Sequence, residues 1–102
     1  LTGYEEIVKE EARLTEQRVE LDEGELERLD QSLQYLKKQL QDERETNPDV
    51  KITYFYADQK KDGGQYRTVQ GKARRIRQYE KAVELEDRTA IPIKDIVQIL
   101  VL

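Results

Sequence analysis

The chain has 102 residues, 36% of them hydrophobic and 39% charged, a formal net charge of −4, and neither cysteine nor histidine. That length suits a single domain with a small core. The two missing residue types exclude disulfides, thiolate and imidazole chemistry, and the usual structural zinc sites.

Charge is unevenly divided. Residues 1–49 carry 7 Lys and Arg against 15 Asp and Glu, a net −8, whereas residues 50–102 carry 11 against 7, a net +4. An acidic half and a basic half can attract each other, and the basic half can also meet a nucleic acid or an acidic partner. The longest apolar run, residues 99–102, is far shorter than the roughly 20 residues of a membrane helix. With no signal-peptide h-region either, a cytoplasmic protein without membrane attachment is expected.

In chain order, Thr2, Gly3, Tyr4 and Glu5 fit a capping box and predict a first helix to about Gln17. Its apolar stripe is thin: Tyr4, Ile7, Val8, Ala12 and Leu14. A second helix is better marked. Asp22 is placed as N-cap with Glu25 as its N3 partner, and Leu21 and Leu26 as a hydrophobic staple, so the helix should start near Glu23. Leu26, Leu29, Leu33, Leu36 and Leu40 recur at spacings of three and four, forming one apolar seam. Asn47 before Pro48 should end the helix, because a residue preceding proline disfavours helical backbone.

The basic half reads as strands. Val50, Ile52, Tyr54 and Tyr56 alternate with Lys51, Thr53 and Phe55, the period of a strand with one buried face. Asp62, Gly63 and Gly64 supply a turn, and lack the pattern and the following helix of a phosphate-binding loop. A second strand over residues 65–71 follows, with Gly71 as a bend or bulge. Residues 72–86 hold two strands around a turn at 78–81; residues 90–93 make a short strand, and 97–102 the last. The fold class is therefore α+β: a helical extension over residues 1–49, then a small, highly bent antiparallel β-barrel of about five strands over 50–102, packed as one unit.

The run from Ile52 to Tyr56, a Gly-containing turn, a strand ending at Gly71, the sequence Arg74-Arg75-Ile76, then Val83 to Glu86, Ile91 to Ile96 and a closing Val97 to Leu100 together resemble the YolD-like proteins of Gram-positive bacteria, their phages and mobile elements. The resemblance spans roughly residues 21–100. It implies an Sm-like fold and an accessory role beside a Y-family translesion DNA polymerase in the DNA damage response. Members of that family often begin with a short basic segment containing Trp, and this chain has no Trp.

Arg67, Lys72, Arg74, Arg75, Arg77 and Lys81 form the densest basic cluster, flanked by Tyr66 and Tyr79. Cations with nearby aromatic rings are what a single-strand groove uses, charge for phosphate and rings for bases. The same residues could instead be a solvated strand face, or pair with the acidic helices. Tyr54 and Tyr56 share one strand face and Phe55 takes the other, which fits core filling better than a stacking platform. The acidic residues Glu84, Glu86 and Asp87 offer no nucleophile and base pair. Glu84 and Glu86 are expected on one exposed strand face, in principle able to bind a divalent cation.

Two functions follow as expectations. One is a non-enzymatic adaptor without cofactor that binds a protein partner, by resemblance a Y-family polymerase. The other is a direct binder of single-stranded DNA or RNA through the basic cluster. The leucine seam carries more apolar surface than a small barrel covers, so a homodimer through Leu26, Leu29, Leu33, Leu36 and Leu40 is expected as well.

Overall fold

The structure, a computed structural model, describes residues 16–60 and 62–102. The expected first helix lies outside the described residues except for its last two, Glu16 and Gln17, neither of which is helical. Glu16 pairs with Gly64 across an isolated bridge, its carbonyl accepting from the Gly64 N–H at 2.8 Å.

Helix α1 spans Glu23–Gln41. Its start matches the capping signal: the Asp22 carboxylate accepts from the Glu25 N–H at 2.7 Å, and that bond holds the Asp22 carboxyl below its ordinary pKa. Its end comes earlier than proline alone predicts. Asp42 folds back to accept from the Arg44 N–H at 3.0 Å and pairs with the Arg44 guanidinium, giving the backbone a local alternative to further helix.

Five strands follow: β1 (Asp49–Ala57), β2 (Gly64–Arg77), β3 (Ala82–Leu85), β4 (Ala90–Pro92) and β5 (Ile96–Val101). All neighbouring pairs are antiparallel, in the order β4-β3-β2-β1-β5. A 3-10 turn, Ile93–Asp95, leads into β5. The sheet is open, which corrects the expected barrel closure. β4 is only three residues long and ends in Pro92, which has no N–H to carry the ladder onward.

β2 is the longest strand and serves both halves of the sheet. Residues 64–72 pair with β1, in register from Ala57 opposite Gly64 to Asp49 opposite Lys72. Residues 73–77 pair with β3, with a register shift between Ala73 and Arg75. The chain runs through Gly71 unbroken and changes partners beyond it, where Ala73 N–H donates to the Pro48 carbonyl and Lys72 carbonyl accepts from Glu86 N–H, both at 2.9 Å. The bulge lies a few residues past the glycine that predicted it.

One core joins the two halves: Val50, Ile52, Ala73, Val83, Leu85, Ile91, Ile96 and Ile99 pack together with Leu36 of the helix. Leu29, Leu33 and Leu40 pack against the same cluster. Four of the five seam leucines therefore find cover on the sheet of their own chain. On the other face of β1, Phe55 is buried under Arg18, whose guanidinium lies 4.8 Å from the ring centre, and meets Tyr66 edge-on at 5.2 Å.

Candidate functional site

The site forms around a charged side chain in an apolar strand. β3 reads Ala-Val-Glu-Leu, and all four residues are buried; Glu84 is 0% exposed. A buried carboxylate needs partners to offset its lost hydration. Glu84 finds three. Arg75, opposite it across the β2–β3 ladder, donates Nε–H to Oε2 at 3.1 Å. Arg77 donates Nε–H to Oε1 at 2.8 Å and a second N–H from its terminal nitrogen to the same oxygen. Arg74 brings Nε to 3.3 Å from Oε2.

Consecutive strand residues normally point to opposite faces, so Arg74 and Arg75 should not reach one carboxylate. The bulge between Ala73 and Arg75 removes that restriction by twisting the strand locally. The Arg77 hydrogen bonds, together with the charges of Arg75 and Arg77, hold the Glu84 carboxyl below the ordinary glutamate range, although burial alone would raise it.

These arginines open onto a pocket of about 470 Å³ between β2 and the last turns of α1. Lys37, Leu40 and Gln41 wall it on the helix side; Gln78, Lys81 and Ile93 complete the rim. The three arginines share one carboxylate, and Lys37 and Lys81 line the pocket with them, so it keeps an excess of positive charge. Each guanidinium has five N–H groups, and Glu84 engages mainly the Nε side. Arg77 spends one terminal nitrogen on Glu84 as well, whereas Arg74 and Arg75 meet it through Nε, which leaves their terminal nitrogens for an anion in the fork geometry that suits phosphate and carboxylate.

Of the six predicted cations the structure brings four together: Arg74, Arg75, Arg77 and Lys81. Arg67 is set apart on the β1-facing half of β2, its guanidinium 3.8 Å from the centre of the Tyr56 ring. Lys72 sits exposed where β2 changes partners and does not line the pocket. The expected acidic face of Glu84 and Glu86 is corrected: Glu84 is enclosed by arginines, while Glu86 lies past the end of β3 and is exposed. Among the described residues no group of three or more acidic side chains is arranged to hold a metal ion.

Sequence reasoning missed Lys37 and the role of Glu84. Lys37 carries no local signal, since only packing of α1 brings it to β2. Glu84 does carry one: a lone acid among Ala82, Val83 and Leu85 is a buried charge in search of cations, and three arginines stand one hairpin away.

In the seam, Leu36 is 0% exposed and so is closed to a partner in this fold, Leu29, Leu33 and Leu40 are half-buried against the core, and Leu26 remains 51% exposed. No helix among the described residues is long and apolar enough to cross a membrane. Comparison with protein-family models, with curated proteins and with solved structures returned no match.

Proposed function

We propose that the chain is a non-enzymatic binding module that holds the phosphate backbone of a nucleic acid in the basic pocket. The observation that carries this reading is the convergence of Arg74, Arg75 and Arg77 on buried Glu84, with Lys37 and Lys81 beside them. A carboxylate that fixes the arginines in advance lowers the ordering cost of binding an anion. The arrangement supplies charge and hydrogen-bond donors, which suits binding rather than bond cleavage. A filter-binding titration at low salt tests it: retention should appear at micromolar protein and fall steeply as salt rises. No retention of DNA or RNA there overturns the reading.

A second reading is an accessory protein beside a Y-family polymerase, as the YolD-like resemblance implies. It is favoured by exposed apolar side chains, Tyr35 on α1 and Leu100 on β5, which flank one shallow groove. The helix followed by five antiparallel strands, one of them long and shared, also supports an Sm-like reading of the fold. Recovery of the polymerase with a tagged copy from damaged cells is the expected result; unchanged induced mutagenesis on deletion of the gene would sink it. Homodimerisation, in this fold, falls to Leu26, and light scattering that gives a single-chain mass throughout a dilution series rules it out.

A further inference from the structure

We infer that Tyr79 is a base-stacking residue on the rim of the basic pocket, so that the site takes single-stranded nucleic acid in preference to duplex. The inference rests on the phosphate-binding reading above and adds to it the part of the ligand that phosphate contacts cannot identify. Tyr79 is 99% exposed. Gln78 and Lys81, on either side of it in the β2–β3 turn, both line the pocket, so the turn carries Tyr79 at the pocket's edge, outside the lining itself.

Among the described residues, none packs on this ring. Tyr54 packs on the core, Tyr56 lies beneath Arg67, and Tyr66 meets Phe55 and accepts from the Val19 N–H through its hydroxyl at 2.9 Å. Tyr79 makes no such contact with the described residues. An aromatic side chain can bury roughly 150–250 Å², and leaving that surface in water is unfavourable unless a ligand covers it.

The turn that presents the ring is fixed. Arg77 pairs with Ala82 at its base, and the Lys81 carbonyl accepts from the Ile93 N–H at 2.9 Å. Lys81 also holds a left-handed backbone, φ 50°, which non-glycine residues adopt only where their surroundings impose it. An open ring on a held turn at the edge of a cationic pocket gives two-point recognition of a nucleotide unit: phosphate on the guanidiniums, base on the tyrosine. Bases in a duplex are already stacked and paired, and cannot reach it. A polyanion without bases would use the cations alone.

The test uses the full chain and a labelled oligothymidylate, with a duplex and inorganic polyphosphate as competitors. Tyr79→Ala should weaken binding of the single strand by roughly 5- to 150-fold, as loss of one stacked base predicts. It should leave the salt dependence and competition by polyphosphate unchanged. Because the chain has no Trp, Tyr79→Trp places one indole on the rim, and its emission should be quenched when the strand binds. Equal affinity of wild type and Tyr79→Ala for the single strand, with unchanged indole emission, overturns the inference while leaving phosphate binding intact. If neither oligonucleotide nor polyphosphate binds at micromolar protein, the phosphate-binding reading falls, and this inference with it.

Discussion

The two halves of β2 hold the same kind of residue in different circumstances. In the half that pairs with β1, Arg67 is exposed and lies over an exposed tyrosine ring, with no carboxylate partner among the described residues. In the half that pairs with β3, Arg74, Arg75 and Arg77 converge on a carboxylate with no exposed surface. The first arrangement is a surface contact of the kind that contributes on the order of 0.5–1 kcal/mol. The second is a partly buried network whose members fix one another. A run of arginines in sequence is therefore not yet a site; a buried counter-charge and a bulge that aims neighbouring side chains the same way make it one.

The widest disruption of this contrast is Leu36→Ala. Leu36 packs into the core that both halves share, and its truncation should lower stability by about 2–5 kcal/mol, read as a reduced urea midpoint with both halves affected together. Gly64→Ala acts at the β1 end alone: a Cβ there would lie 2.1 Å from the Tyr56 carbonyl oxygen, and backbone must move. A loss of about 1–3 kcal/mol is expected, with anion binding by the remaining folded protein unchanged. Arg74→Ala combined with Arg75→Ala should weaken nucleic-acid binding about tenfold and reduce the salt slope by about 2. Arg67→Ala should change affinity less than about twofold by the same measure; equal effects of the two changes would erase the distinction between the halves.

The finest test is pH. The folded-state pKa of Glu84 is depressed, so its ionised form contributes stability above the ordinary glutamate range, about 4.3, and that contribution is lost as pH falls through the folded value. Glu84→Gln should flatten this part of the acid unfolding profile. A profile identical to wild type below pH of about 4 would show that the carboxylate is not what anchors the arginines.

Much of the fold was legible because its signals are local. Asp22 with Glu25 marks the helix start, the alternation of Val50, Ile52 and Tyr54 marks β1, and Asp62 to Gly64 marks the first turn. The helix end was less legible, since the competing turn depends on Asp42 and Arg44 rather than on proline. Strand closure was not legible at all: alternation says which face is buried, but β4 and β5 lie at opposite edges for reasons of length and backbone chemistry at Pro92. The site was half legible. Arg74, Arg75, Arg77 and Lys81 stood out by density, but the same density admitted Arg67 and Lys72, because sequence distance does not reveal where a strand changes partners. Lys37 reaches the pocket only through tertiary packing, which no local pattern encodes.

The return of β5 to β1 bears on how the molecule assembles. β1 to β4 follow one another as hairpins, each closing over a short turn, whereas pairing Val50 with Val101 closes a loop that contains all of β2, β3 and β4. Loop-closure entropy opposes that pairing before its contacts are gained, so β5 joins after the meander has formed. Helix α1 packs on β5 as well as on β2, which ties docking of the helix to the same late step. The carboxylate, its arginines and Lys81 thus belong to the β2–β3 hairpin, and the Lys37 side of the pocket to the later docking of the helix. Undocking β5 would therefore cost the helical side of the pocket, while every contact between Glu84 and its arginines lies within β2 and β3.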